Sequence, residues 1–132
     1  MPCPYKVDLK IMLINISNHP HIGWQPAQLK AAKAYGEVID MPFPNVPPED
    51  TMDDIEITAV NKINKILSLM KKHQNPPTVV HLMGEMTFTY ALLNKLRRQG
   101  IPCVASTTER IVTMEGDTKK TTFKFIQFRA YF

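Results

Sequence analysis

At 132 residues the chain has the length of one domain, long enough to bury a sheet between helices but too short for a second core. Its 44% hydrophobic and 21% charged residues are those of a globular protein, and no stretch approaches the roughly 20 apolar residues that cross a bilayer. The formal charge of +4 suits an anionic ligand but is too modest for a general strand binder, so no stable DNA or RNA partner is expected.

The opening Met1-Pro2-Cys3-Pro4-Tyr5-Lys6 lacks the apolar core of a secretory signal, which makes the cytosol the expected compartment. Cys3 and Cys103 supply neither a disulfide framework nor a metal-type pair. Cys103, between Pro102 and Val104, reads as a core residue.

Lys10 to Ile16 is a near-continuous apolar run ending in Ser17-Asn18-His19-Pro20, the pattern of a buried parallel strand opening into a loop. Gln25 to Tyr35 follows as a helix, with Pro26 near its start and Gly36 where a cap belongs. Glu37 to Met41 is a short strand, and the proline-dense segment 42–48 is a loop. A second helix spans about Asp53 to Lys72, since Ile55, Ala59, Ile63, Ile66 and Met70 recur at helical spacing, acids precede it and lysines close it.

Thr78 to Met83 is the third strand, Gly84 turns it into a helix over Glu85 to Gln99, and Ile101 to Ala105 is the fourth. In that helix Met86, Phe88, Leu92 and Leu96 share the spacing of a core face, and Lys95, Arg97 and Arg98 complement the dipole at its end. The β-α-β-α-β-α-β alternation predicts an α/β fold of Rossmann-like kind, a mainly parallel sheet with flanking helices, over a core of about 10–110. A C-terminal β-hairpin over about 110–128 completes a single domain, its arms flanking Glu115 to Lys120. Phe123, Phe125 and either Ile126 or Phe128 cannot share a face by simple alternation, which calls for a bulge or burial on both faces.

Ligands of open α/β sheets bind beyond the carboxyl ends of the strands, and three polar segments fit that place: Ser17 to Trp24, Gly84 to Phe88, and Ser106 to Arg110. Ser106, Thr107, Thr108 and Arg110 could offer hydroxyl donors and one cation to a phosphate, or form a polar turn in which Arg110 pairs with Glu109 or Glu115. His19 and His21 could serve as acid and base or be ordinary loop residues; their spacing matches no metal signature and no metal site is expected. Trp24 is either a lid on the core or a stacking surface for a base. Glu85 either orients a ribose hydroxyl or caps its helix. One glycine where a dinucleotide fingerprint needs three, and no Gly-Lys-Ser/Thr anywhere, argue against nicotinamide and nucleoside-triphosphate sites, and no cofactor is expected.

Together, Leu13-Ile14-Asn15-Ile16-Ser17-Asn18-His19-Pro20, His81-Leu82-Met83-Gly84-Glu85-Met86-Thr87-Phe88-Thr89 and Val104-Ala105-Ser106-Thr107-Thr108-Glu109-Arg110 resemble the small stand-alone CRISPR-associated proteins with a CARF-like Rossmann fold, over about Lys10 to Phe128. The resemblance implies a homodimer that binds a cyclic oligoadenylate, a second messenger of type III CRISPR defence, with cyclic tetra-adenylate the first choice. It further implies a ring nuclease, in which a ribose 2'-hydroxyl attacks its own phosphodiester without a metal and leaves a 2',3'-cyclic phosphate. On that reading His19, Arg110 and Thr107 are the catalytic candidates. Ser17, Asn18, Trp24, Gly84, Glu85, Thr87, Ser106 and Thr108 are the substrate-binding ones. The alternative is a non-catalytic sensor of the same messenger.

Overall fold

The computed structural model describes residues 11–132, so Cys3 and the expected strand start at Lys10 lie outside the described residues. Strand β1 (Met12–Ile16) is buried at every position, which is why its sequence is apolar without alternation. Helix α1 (Pro26–Lys33) begins on Pro26, where no intrahelical N–H is lost. After it the chain turns at Gly36, whose φ of +100° would strain any side chain; a Cβ there would sit 1.9 Å from the Ile11 carbonyl oxygen. Strand β2 (Glu37–Asp40) follows.

Helix α2 (Met52–Lys72) opens on a capping box in which Thr51 and Asp54 satisfy each other's backbone N–H. Strand β3 (Thr78–Leu82) leads into helix α3 (Met86–Arg98), then into two long strands, β4 (Cys103–Glu115) and β5 (Thr118–Ala130). The strands form one sheet of order β2-β1-β3-β4-β5. It is an α/β architecture, but the sheet is mixed rather than mainly parallel. β1 pairs in parallel with β2 and β3, while β3 meets β4 over only Val80↔Cys103 and His81↔Val104. The antiparallel β4–β5 ladder, from Val104↔Ala130 to Glu115↔Thr118, is the longest in the sheet.

The expected fourth strand at Ile101 to Ala105, the polar segment Ser106 to Arg110 and the first hairpin arm are a single strand. Between Cys103 and Glu115 there is neither glycine nor proline, and Thr107, Thr108, Ile111, Val112 and Thr113 are β-branched, so polarity alone does not break the strand. The boundary drawn near residue 110 therefore falls inside β4.

The turn is tighter than Glu115 to Lys120, since Glu115 already pairs with Thr118 and Gly116 supplies the positive φ of 63°. The expected bulge is present. Thr107 faces Gln127 and Thr108 faces Phe125, which leaves Ile126 unpaired. By this shift Phe125 and Phe128 come to one side of β5, their rings 5.1 Å apart.

α2 and α3 cover one face of the sheet around Ile14, Ile16, Ile66, Leu82, Phe88 and Leu92. Cys103 is buried there as expected, and burial pushes its thiol up to about 12. Met86 departs from expectation: it stands two residues from Phe88, about 200° round the helix, and is exposed, while Phe88, Leu92 and Leu96, four residues apart, are fully buried. The other face holds a smaller cluster of Leu13, Trp24 and Ala32, with Phe128 from the hairpin packed against it. α1 starts at the carboxyl end of this face, with Gln25 as its N-cap. No helix among the described residues is long and apolar enough to cross a membrane.

Candidate functional site

Beyond Thr78, which opens β3 and donates its hydroxyl to the Pro76 carbonyl, two polar residues lie buried inside the apolar central strands: Asn15 in β1, 1% exposed, and His81 in β3, 2% exposed. Polar groups out of reach of water need partners, and the sheet supplies them by register. Asp40, Asn15 and His81 stand side by side across β2, β1 and β3. The Asn15 Nδ2 group donates to Asp40 Oδ1 and to the His19 carbonyl, both at 2.9 Å. Two pure acceptors on that nitrogen fix the amide orientation, so Asn15 Oδ1 must accept from His81 Nδ1 at 2.8 Å; the Ser17 hydroxyl also reaches it, at 2.9 Å, with the His19 carbonyl at 3.1 Å as a second acceptor for its one hydrogen.

His81 therefore carries its proton on Nδ1 and presents a lone pair at Nε2. That lone pair faces Ser106 Oγ at 2.7 Å, so the Ser106 hydroxyl donates to it. Gln28 of α1 in turn donates to Ser106 Oγ at 3.1 Å. Burial pushes the His81 imidazole down to about 4, which keeps it neutral. Burial works against the charge of Asp40 at the other end. Hydrogen bonds from Asn15 and from the His21 backbone and ring outweigh it and hold the carboxyl below its usual value. His21 Nδ1 lies 2.7 Å from Asp40 Oδ2. The result is one polar row, His21–Asp40–Asn15–His81–Ser106–Gln28, crossing four strands and ending on α1.

Where this row reaches the surface, a cavity of about 500 Å³ opens. Its floor is His81 and Ser106; the loop after β1 supplies Ser17, Asn18 and His19, and Met83 and Gly84 follow β3. Gln25 and Gln28 of the α1 region and Thr108, Phe123 and Phe125 of the hairpin close the other side. In chain order β2 lies to one side of β1 and β3 to the other, so the mouth sits at the point where the strand order reverses. Among the described residues, no Lys, Arg, Asp or Glu lines the wall. Gln25 holds the hairpin over it by a two-ended amide contact, Nε2 to the Phe123 carbonyl at 2.6 Å and Oε1 from the Phe125 N–H at 3.0 Å.

Of the residues singled out from sequence, Ser17, Asn18, His19, Trp24, Gly84, Ser106 and Thr108 come together on this wall. Asn18, His19 and Thr108 make no side-chain hydrogen bond among the described residues. Trp24 is the lid of the smaller cluster: it is 7% exposed, packs edge-on against His81 with ring centroids 5.3 Å apart, and donates Nε1–H to the His19 carbonyl at 3.0 Å. Gly84 is required by close approach, since a Cβ there would lie 2.2 Å from the Phe43 ring.

Other candidates lie elsewhere. Glu85 is the cap of α3, its carboxylate accepting from the backbone N–H groups of Phe88 and Thr87 at 2.8 and 3.0 Å; these bonds lower its pKa. The Thr87 hydroxyl donates to the same carboxylate at 2.7 Å, so neither faces the cavity. Thr107 donates its hydroxyl to the Gln127 carbonyl at 3.2 Å and, by strand alternation, stands on the opposite face from Ser106 and Thr108. Arg110 is exposed and does not line the wall, but it stands on the same strand face, paired with the wall residue Phe123 and two residues from Thr108; it forms no ion pair with Glu109 or Glu115.

Asn15, Asp40, His81 and Gln28 carried no functional assignment in the sequence reading. Asn15 and His81 had left a visible signal, a polar residue inside an otherwise apolar buried strand, whereas Asp40 and Gln28 had left none.

Fold and site together define an α/β protein with a ligand-sized cavity at the carboxyl edge of a mixed sheet. The family model described as the uncharacterized protein MJ1673 family matches residues 11–129, and the chain belongs to that family. No curated protein and no solved structure matches it.

Proposed function

We propose that the chain binds a cyclic oligoadenylate, with cyclic tetra-adenylate the first choice, in this cavity and opens the ring as a metal-independent nuclease in type III CRISPR defence, acting in the cytosol as a homodimer. The observation that carries the reading is the cavity itself, about 500 Å³ at the strand-order reversal, within the size range of small-molecule sites. Its uncharged wall of amides, hydroxyls and aromatic rings suits an adenosine unit better than a bare phosphate. Phosphates would lie toward the mouth, with Asn18, His19 and Thr108 the uncommitted polar side chains there.

The fold is read as a Rossmann-like, CARF-like variant, because the β1-α1-β2-α2-β3-α3-β4 alternation and the order β2-β1-β3-β4 are those of a doubly wound sheet. Two copies facing each other across a two-fold axis would each take half of a symmetric ring. The hairpin offers a surface for the second copy: Val112, Met114 and Phe123 are exposed and share the β4–β5 face that continues from the cavity. Aligning a 2'-hydroxyl in line with its phosphodiester contributes roughly 7 to 11 kcal/mol in favourable cases, so positioning would do most of the chemistry.

The test is incubation of the purified protein with cyclic tri-, tetra- and hexa-adenylate, with and without EDTA, and mass spectrometry of bound species and products. A linear product ending in a 2',3'-cyclic phosphate, formed equally with EDTA, is expected; failure to bind any ring defeats the reading. The non-catalytic sensor remains the second reading. It is favoured by one observation, that Thr107 is turned to the opposite face and Arg110 is not among the lining residues, and it is distinguished by binding without product.

A further inference from the structure

The proton assignments along the polar row determine what Ser106 can offer a ligand. Its hydroxyl hydrogen is committed to His81 Nε2 at 2.7 Å, and one lone pair accepts from Gln28 at 3.1 Å. What remains is a second lone pair on an oxygen that lines the cavity. Ser106 is thus an acceptor toward the ligand. An anionic phosphate oxygen, itself an acceptor, is the wrong partner for it, and a ligand hydroxyl is the right one.

We propose that Ser106 accepts the hydrogen of the ribose 2'-hydroxyl that attacks the phosphodiester, and passes its own proton to His81. This rests on the ring-nuclease reading and supplies it with a base in place of His19. As the 2'-oxygen bonds to phosphorus and the bond from phosphorus to the 5'-oxygen breaks, the 2' proton moves to Ser106 Oγ and the Ser106 proton to His81 Nε2. A water molecule protonates the leaving 5'-oxygen, and the proton that His81 returns through Ser106 neutralises the resulting hydroxide. Ser106 is the catalytic residue that touches substrate. His81 and Asn15 act through it: Asn15 Oδ1 holds the Nδ1–H and so aims the Nε2 lone pair at Ser106, and the Asp40 carboxylate behind it offsets part of the cost that burial sets on the transient imidazolium.

The titratable groups around His81 are Asp40 through Asn15, His21 on Asp40, and His19 on the wall; its other neighbours, Trp24, Phe128 and Ser106, do not titrate near neutral pH. Since burial holds His81 near 4, the relay stays open down to mildly acid pH.

The experiment measures affinity and ring-opening rate with cyclic tetra-adenylate and with its all-2'-deoxy counterpart, for wild type, Ser106→Ala, Ser106→Thr and His81→Gln. Wild type should bind the ribose ring more tightly than the deoxy ring, and Ser106→Ala should bind the two alike while opening the ribose ring about 100-fold more slowly. Ser106→Thr should restore both properties, and the wild-type rate should be flat from pH 8 to 5 and fall toward 4. His81→Gln should lose the rate together with that acid limb. Opening at the wild-type rate by Ser106→Ala, retained discrimination between the rings by that variant, or a rate inflection near neutral pH overturns the relay. Binding without opening by wild type overturns the relay and leaves the binding site standing. Absence of binding to either ring overturns the ring-nuclease reading, and the relay falls with it.

Discussion

Asn15 and Asp40 occupy paired positions on β1 and β2, and the Asn15 amide donates to the Asp40 carboxylate at 2.9 Å. This bond sets the polarity of the row. A carboxylate can only accept, so the amide nitrogen must face it, the amide oxygen must face His81, and the Ser106 proton must point to His81. Replacing Asn15 by Leu would keep the volume but strand the His81 N–H and remove a donor from Asp40. A loss of about 2 to 4 kcal/mol in urea denaturation is expected. A loss under about 0.5 kcal/mol would mean that water replaces the amide, and that the Asn15–His81 pair is not sealed from solvent.

The buried His81 makes stability depend on pH in a defined window. Its pKa falls from 6.5 in the unfolded chain to about 4 in the fold, so below 6.5 the unfolded state binds the extra proton. Its contribution is complete above about 6.5 and is lost as pH falls toward 4, at most about 3 kcal/mol across the window. Chemical denaturation at stepped pH should show this slope in wild type and a shallower one in His81→Gln. Equal slopes would place the titration elsewhere.

Gly84 lies under the Phe43 ring, which packs edge-on against Phe88 at 5.2 Å. Gly84→Ala should displace Phe43 and destabilise the fold by about 1 to 3 kcal/mol. Adding Phe43→Leu to make room should recover part of the loss, a coupling that a double-mutant cycle reads directly. Additive effects would show that the two positions do not press on each other.

Gln25 spans the gap between α1 and the edge strand β5, bonding Phe123 and Phe125 by both ends of one amide. It covers part of the sheet edge while holding the cavity wall. In Gln25→Ala the Phe125 amide should exchange hydrogen at least about 10-fold faster, consistent with loss of about 1.4 kcal/mol of local protection. Unchanged exchange there would leave Gln25 no part in anchoring the hairpin.

The order of strands and helices was legible because each buried face repeats at its own period: Met12 to Ile16 without a break, Ile55 to Ile66 at helical spacing. The bulge in β5 was legible for the same reason, since Phe125 and Phe128 are out of phase. Polarity misled at Ser106 to Arg110. Those residues look like a loop, yet β-branched threonines and the absence of a breaker let β4 run through them, which turned Thr107 from the cavity and left Arg110 out of its lining. The site was half visible. Asn15 and His81 stood out as polar residues in buried strands, but that they meet, and that Asp40 and Ser106 complete the row, depends on register between strands far apart in sequence. Nothing in the spacing of Asp40, 25 residues from Asn15, encodes that register.

The central claim, that the cavity over His81 and Ser106 holds a cyclic oligoadenylate, is tested most directly by titrating cyclic tetra-adenylate into isotope-labelled protein and following backbone and side-chain shifts by NMR. Saturable changes centred on Asn18, His19, His81, Ser106 and Thr108, complete at one ring per two chains, are expected. No saturable change, or changes confined to residues outside the cavity, would contradict it.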